Sequence, residues 1–190
     1  MTDIFIAGGR ALVGGEFVET SLAIEGGHIR SLGERQGRGA LALDARDLKV
    51  LPGIVDIHGD AFERQMMPRP KVDFPIDVAL VDTDRQVIAN GITTVFHAAT
   101  WSWEPGLRSG ENALKLMDAI ETLRPKLAAD TRLHLRHETY NLDAEAEIGE
   151  WLAAGRVDLF AFNDHTANTI ALLNKPNKRK TMVDRTGLSD

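Results

Sequence analysis

The chain contains no cysteine, which excludes disulfide bonds and any metal site built on thiolates. It also has no excess of basic charge: 22 Lys and Arg against 28 Asp and Glu give a net charge of −6, which argues against a nucleic-acid-binding protein. No apolar run approaches the ~20 residues that a membrane-spanning helix needs. The first residues lack the basic and apolar regions of a signal peptide. Together these absences predict a cytoplasmic protein that binds neither nucleic acid nor membrane.

Residues 1–50 contain short apolar clusters that are separated by pairs of glycines. The pairs are Gly8-Gly9, Gly14-Gly15 and Gly26-Gly27. Glycine between short β-rich runs is typical of hairpin turns. A phosphate-binding loop is disfavoured, because no Lys-Ser or Lys-Thr and no helix start follow the glycines. This segment is therefore predicted to form a small antiparallel sheet.

Residues 51–190 alternate apolar strands with amphipathic helices. The predicted strands are 51–57, 92–99, 132–139 and 157–165. The predicted helices are 75–90, 110–127 and 143–154. Strands separated by helices of this length form βαβ units in a parallel sheet. Four β/α repeats make half of a (β/α)8 barrel, which typically takes ~250 residues.

The end of the chain supports the same interpretation. Thr186–Asp190 has the pattern of a helix end followed by a new N-cap with no helix behind it. We therefore expect the chain to be the N-terminal portion of a larger protein or a truncated gene product.

Two side chains that can bind metals, His58 and Asp60, stand one residue apart at the end of the first predicted barrel strand. Side chains alternate along a strand, so both are expected on the same side. Imidazole nitrogen and carboxylate oxygen are ligands of zinc. An isolated His-x-Asp is more often an ordinary surface feature, but barrel enzymes keep their catalytic residues at the carboxyl ends of the strands. The position therefore favours a metal site.

Polar residues also end the next three predicted strands. They are His97 on the second, Glu138 on the third and His165 on the fourth. On the third strand, alternation places Glu138 on the interior side with His134 and Arg136, and places His137 on the opposite side, against the helices. For His97, a role in the core is as consistent with the sequence as a role in ligation.

We predict that His58, Asp60, Glu138 and His165 hold one or two divalent metal ions. Glu138 is the catalytic candidate, because a carboxylate there can bridge two metals around an activated water molecule. Zinc is the expected metal, with manganese and magnesium as alternatives.

The run Leu51–Asp60, LPGIVDIHGD, resembles the first barrel strand of the amidohydrolase superfamily, whose members carry P-G-x-[IV]-D-x-H-x-[HD] there. In that superfamily the His and the residue two positions later bind the more buried of one or two catalytic metals. The usual second residue is His, so Asp60 is a departure. The resemblance implies an α/β fold, with a β-sandwich segment at residues 1–50 and the first half of a metal-dependent (β/α)8 (TIM) barrel at residues 51–190.

Within the superfamily, the phrase Pro68–Pro75, PRPKVDFP, is similar to the α-D-ribose 1-methylphosphonate 5-triphosphate diphosphatase family. Further similar phrases are Gly91–Val95, Arg132–Glu138 and Asp164-His165. That family hydrolyses its sugar triphosphate to 5-phospho-α-D-ribose 1-methylphosphonate and pyrophosphate in the carbon–phosphorus lyase pathway of phosphonate use. The resemblance therefore implies a phosphorylated sugar as substrate. Family members are considerably longer, and their later His and Asp metal ligands have no counterpart here.

Three basic residues are predicted to bind the substrate phosphates: Arg69, Lys71 and Arg136. Arginine grips phosphate with two hydrogen bonds, and lysine acts as a point charge. The alternatives are a proline-rich loop with solvated charges for Arg69 and Lys71, and an ion pair with Glu138 for Arg136. The basic cluster at Lys175–Lys180 is expected to be a solvated helix face.

Two other functions stay open at this point. The chain could come from another amidohydrolase, such as a cyclic-amide hydrolase or a deaminase. Alternatively, it could be an inactive truncated fragment, whose open sheet edge would aggregate or bind a partner that completes it. Assembly into a homo-oligomer is also left open.

Overall fold

The computed structural model of the chain describes residues 2–33, 39–69 and 72–186. Contacts divide the chain into two compact units, Met1–Pro52 and Gly53–Asp190. Residues 187–190, where a helix end and a new N-cap were predicted, lie outside the described residues, as does Lys71. Within the three described ranges, no helix combines the length and the apolar character that a membrane span requires.

The first unit is built from short strands in two small sheets. The strands are β1 (Ile4–Ala7), β2 (Arg10–Val13), β3 (Glu16–Glu19), β4 (Leu22–Glu25), β5 (His28–Leu32), β6 (Leu41–Asp44) and β7 (Lys49–Val50). One sheet has the order β5-β4-β1-β6 and the other the order β3-β2-β7. The predicted hairpins are present, because β2 pairs antiparallel with β3 and β4 with β5.

The prediction of a purely antiparallel sheet is wrong in this unit. Strand β6 lies parallel to β1, and β7 lies parallel to β2. Alternation of apolar and polar residues shows which segments are strands, but it does not encode the direction in which a distant segment returns to the sheet.

The second unit is a parallel sheet with helices between its strands. Its elements are β8 (Ile54–Gly59), α1 (Ala61–Met66), α2 (Ile76–Ala89), β9 (Ile92–Trp101), α3 (Gly110–Leu123), β10 (Asp130–Glu138), α4 (Glu145–Ala153), β11 (Leu159–Asn163), α5 (Thr166–Leu173) and α6 (Pro176–Thr186). The strand order is β11-β10-β9-β8, and all neighbouring pairs run parallel. The predicted α/β class and the half barrel are confirmed. Helix α1 was not predicted, because it is short and lies in a polar segment rich in proline.

The ends of the helices follow local chemistry. Helix α2 ends just before Gly91, whose φ of 77° lies in the left-handed region that glycine adopts without strain. Helix α3 starts after Ser109, whose hydroxyl accepts a hydrogen bond from the Asn112 amide at 3.2 Å. Gly110 must remain small, because a Cβ there would lie 2.4 Å from the buried Trp101 ring.

The main core lies between the sheet and the helices. Strand β10 contributes Leu133 and Leu135, which are 1% and 0% exposed. The helices contribute residues at spacings of three and four, including Leu116, Met117 and Ile120 of α3. Odd-numbered residues of β10 therefore face the helices, and even-numbered residues face the interior of the half barrel.

His97 belongs to this core side of the sheet. Its ring is 1% exposed and stacks edge-on against Phe62 of α1, with ring centroids 5.4 Å apart. Neither ring nitrogen has a hydrogen-bond partner among the described residues. Burial lowers the pKa of His97 to about 4, although the negative charges of Asp56 and Asp84 partly oppose this. The ring is therefore neutral at pH 7.

Asp84 connects helix α2 to the start of β10. Its carboxylate is 7% exposed and accepts hydrogen bonds from the backbone amides of Ala128 and Ala129 at 2.9 to 3.1 Å. These amides precede the strand and have no strand partner, so a side chain from a neighbouring helix supplies the acceptor.

We expect Asp84→Ala to lower the free energy of unfolding by about 1–3 kcal/mol, because the buried Ala129 amide loses its acceptor. Asp84→Asn keeps one acceptor oxygen and is expected to lose less. Asp82→Ala, on the exposed face of the same helix, serves as the control. Urea denaturation measures all three, and equal unfolding midpoints for Asp84→Ala and the wild type would refute the assignment.

Burial of neutral His97 predicts a pH-dependent stability. The pKa in the folded state is about 4, against an ordinary value of 6.5, so between these values the unfolded state binds more protons. Through His97, the free energy of unfolding is highest above pH 6.5 and decreases by about 3 kcal/mol as the pH falls to 4.

The measurement is urea denaturation from pH 4 to 7.5 for the wild type and for His97→Leu, which has no titratable group at this position. The difference in free energy of unfolding between the two proteins should change across this pH window. A constant difference would show that His97 is not buried in its neutral form.

Candidate active site at the carboxyl ends of the parallel strands

A cavity of about 450 Å³ lies where strands β8 to β11 end. Five of the residues predicted to form the site line it together: His58, Asp60, Arg136, Glu138 and His165. The carboxyl ends of neighbouring parallel strands meet at one edge of a sheet, which explains why residues far apart in sequence converge.

Two of the residues predicted to bind the substrate phosphates are not among the described residues that line this cavity. Arg69 does not line the cavity in the described part of the chain, and its carbonyl accepts a hydrogen bond from the Val72 amide at 3.1 Å. Lys71 lies outside the described residues.

Asp60 reaches the cavity by a route that strand alternation did not predict. Strand β8 ends at Gly59, and Asp60 is the N-cap residue of α1, with φ −113° and ψ 5°. Its side chain makes no capping hydrogen bond. The register between β8 and β9 also shifts between Asp56 and Gly59. The strand irregularity and the helix start, rather than a regular pleat, bring Asp60 and His58 to the same cavity.

His134, to which the sequence assigned no role, lies beside His58. Its Nδ1 donates a hydrogen bond to the Ile57 carbonyl at 2.9 Å, and the two rings lie edge to face with centroids 5.4 Å apart. The neighbour of His134 on the intervening strand is Ala98, which is small enough to let the ring reach β8. Burial lowers the pKa of His134, so the ring is neutral at pH 7. Its Nε2 is buried and has no partner among the described residues.

Glu138 and His165 form the tightest polar contact in the cavity. Glu138 is 3% exposed; its Oε1 lies 2.5 Å from His165 Nδ1, and its Oε2 accepts the His165 backbone amide at 3.2 Å. A carboxylate that engages Nδ1 fixes the tautomer and orientation of the imidazole and leaves Nε2 for another partner. Both Glu138 oxygens are therefore engaged by His165.

His137 and Asp164, which flank these residues, have structural contacts. His137 faces the helix side, with its ring 6.3 Å from the ring of Phe160, as alternation predicted. Asp164 accepts the backbone amide of Thr166 at 3.0 Å, at the start of α5. This hydrogen bond lowers the pKa of Asp164.

Two arginines line the cavity. Arg136 donates from NH1 to the Thr100 hydroxyl at 3.2 Å. Burial and the positive charge of Arg108 lower the pKa of Arg136 below its usual value. Arg108 donates two hydrogen bonds to Glu63, at 3.1 and 3.2 Å. Burial opposes the charge on Arg108, but Glu63 outweighs this effect and raises the pKa of Arg108.

Arg108 was not among the residues predicted from the sequence to form the site. It lies in the loop that follows β9. At the end of that strand, His97 was the only residue considered from the sequence. A basic residue just after a barrel strand is the sequence feature that could have predicted a place for Arg108 in the site.

The donor types in the cavity fit a divalent cation. Among the described residues, no three His, Asp or Glu side chains form a closed metal-binding cluster. However, the cavity offers imidazole nitrogens and a carboxylate, and His134 presents a buried nitrogen without a partner next to His58. A metal-binding histidine typically donates its other ring N–H to a carbonyl or carboxylate, as His134 and His165 do here. The assignment of metal ligands stays a prediction.

No family model matches the chain. The α-D-ribose 1-methylphosphonate 5-triphosphate diphosphatase of Escherichia coli (strain K12) is 32% identical over 178 residues, which cover 92% of this chain and 47% of that protein. The chain thus spans about half the length of the curated relative it matches.

Among solved structures, a D-hydantoinase aligns with a TM-score of 0.51 and 22% identity, over 80% of this chain and 31% of that one. The L-hydantoinase (dihydropyrimidinase) from Arthrobacter aurescens aligns with a TM-score of 0.49 and 17% identity, over 79% of this chain and 31% of that one. The likeness to D-hydantoinase shows a shared fold. Sequence and fold together match this chain to the N-terminal half of an amidohydrolase.

Proposed function

We propose that the chain is the N-terminal half of a metal-dependent hydrolase that converts α-D-ribose 1-methylphosphonate 5-triphosphate to 5-phospho-α-D-ribose 1-methylphosphonate and pyrophosphate. The observation that carries this proposal is the convergence of His58, Asp60, Glu138 and His165 with Arg136 in one cavity. The 32% identity to the Escherichia coli diphosphatase supports the choice of substrate.

The residues that would hold one or two divalent cations are His58, Asp60, Glu138 and His165, with zinc as the expected metal and manganese or magnesium as alternatives. When bound, such a cation supplies positive charge to the phosphoryl oxygens and lowers the pKa of a water molecule. Each Glu138 oxygen accepts one hydrogen bond from His165 and keeps a second lone pair, which would be available to a metal.

The protein residues supply proton transfer and charge. The oxygen of a water molecule attacks phosphorus, and the anhydride bridge between the first and second phosphates breaks. His165, whose Nδ1 is held by Glu138, can accept at Nε2 the proton that the water loses when that nitrogen does not bind a metal. Arg136 neutralises negative charge on the phosphates, and Arg69 and Lys71 are proposed to assist the departing pyrophosphate.

Asp60→Ala is expected to reduce metal-dependent pyrophosphate release at least ~100-fold, as is typical when a charged group that stabilises the transition state is removed. The assay follows pyrophosphate production from the sugar triphosphate by the whole protein that contains this chain. Asp143→Ala, at an exposed position away from the cavity, is the matched control and should retain wild-type activity.

Full activity in Asp60→Ala would remove Asp60 from the site. Ring opening of a cyclic amide, or release of ammonia, without any release of pyrophosphate would instead identify another amidohydrolase activity. No turnover of any of these substrates would favour an inactive fragment.

Metal removal provides a separate test. Dialysis against a chelator should abolish pyrophosphate release, and adding back zinc, manganese or magnesium singly should show which ion restores it. His58→Ala should bind that ion at least ~10-fold more weakly, because a neutral imidazole ligand is lost. His28→Ala, in the first unit, is the control. Unchanged metal content in His58→Ala would exclude His58 as a ligand.

A further inference from the structure

Two guanidinium groups line the candidate active-site cavity from different parts of the fold. Arg108 comes from the loop after β9, and Arg136 comes from near the carboxyl end of β10. Both side chains are half-buried. Two like charges in a partly desolvated cavity repel each other, and an anion bound between them offsets this repulsion.

Arg108 is held in place by Glu63. Two parallel hydrogen bonds of 3.1 and 3.2 Å join the guanidinium to both carboxylate oxygens, and this geometry fixes the plane of the arginine. The Glu63 side chain is 19% exposed, so the ion pair is shielded from water. Glu63 lies in the first turn of α1, the helix that begins directly after Asp60. The ion pair therefore sets the position of Arg108 relative to the residue proposed to bind metal.

Arg136 has unused hydrogen-bonding capacity. Thr100 accepts one hydrogen bond, from NH1, whereas the guanidinium carries five N–H donors. Its Nε is buried and has no partner among the described residues. A buried donor without an acceptor is costly, and a ligand with several acceptor oxygens would satisfy it.

We infer that Arg108 and Arg136 together form a binding subsite for a pyrophosphate group, in which Glu63 is the positioning residue for Arg108. The inference rests on the proposed function, because it assigns the polyphosphate of the substrate to this cavity. Arginine suits this role, since its planar fork matches the oxygens of phosphate. Lys178 of α6 also lines the cavity and adds positive charge to it.

The test is calorimetric titration of inorganic pyrophosphate into the purified protein in buffer containing a chelator, so that binding does not depend on metal ions. The wild type should bind, and Arg108→Gln should bind at least ~10-fold more weakly, the loss expected for a charge-assisted hydrogen bond. Arg132→Gln is the control, because Arg132 lies on β10 with Arg136 but pairs with Asp130 at 2.7 Å outside the cavity. Its affinity for pyrophosphate should stay within about twofold of wild type, as a single surface charge contributes little.

Glu63→Gln separates positioning from a structural role. It should weaken pyrophosphate binding in the wild-type background and have no further effect in Arg108→Gln, because Glu63 acts only through Arg108. Circular dichroism checks that each variant is folded. If Arg108→Gln does not fold, Arg108→Lys takes its place, since it keeps the charge near Glu63 but loses the bidentate geometry.

The outcomes distinguish this inference from the proposed function. Pyrophosphate binding that depends on Arg108, in a protein that does not hydrolyse the sugar triphosphate, would support the subsite and overturn the function. Hydrolysis of the sugar triphosphate with equal pyrophosphate affinity in Arg108→Gln, or Arg108→Lys, and wild type would overturn the subsite alone. Absence of pyrophosphate binding by the wild type would also overturn it.

Discussion

The alternation of side chains along β10 is the constraint on which the second unit depends. Leu133 and Leu135 point to the helices and are almost fully buried, whereas His134, Arg136 and Glu138 point to the other side. Hydrophobic burial of the first set anchors the strand, with each large apolar side chain contributing about 1.5–3 kcal/mol. Because side chains alternate along the strand, the polar set then faces the interior of the half barrel. A shift of one residue in register would exchange the two sets and destroy both the core and the cavity.

Two acidic residues in and around the cavity each hold a cationic or ring partner in a defined position. Glu138 orients His165, and Glu63 orients Arg108. In both pairs the partners are distant in sequence, so the pairs also tie neighbouring β/α repeats together. The Asp60 side chain, by contrast, makes no capping hydrogen bond at the start of α1. Together these features leave a mixed cavity in which carboxylates, imidazoles and guanidinium groups lie close to one another.

Much of the second unit could be predicted because its signals are local. Alternating apolar strands and helices predicted the parallel sheet, the helix predicted over 75–90 corresponds to α2, and period-two alternation predicted the face of Glu138. Asp60 lines the same cavity as His58, but it does so as the N-cap residue of α1 and not as part of a regular strand. In the first unit, the parallel pairing of β6 with β1 was missed, since strand direction depends on contacts between distant segments.

The sequence by itself determined the fold class, the half barrel and the set of strand ends at which polar residues gather, because periodicity and turn residues act over a few positions. Only the tertiary structure decided which of those polar residues meet. It joined His165 to Glu138, brought His134 to His58 across β9, placed Arg108 in the cavity and left Arg69 outside it. Such pairings depend on strand register and on the size of intervening side chains such as Ala98. These are properties of the packed sheet, and no short stretch of sequence contains them.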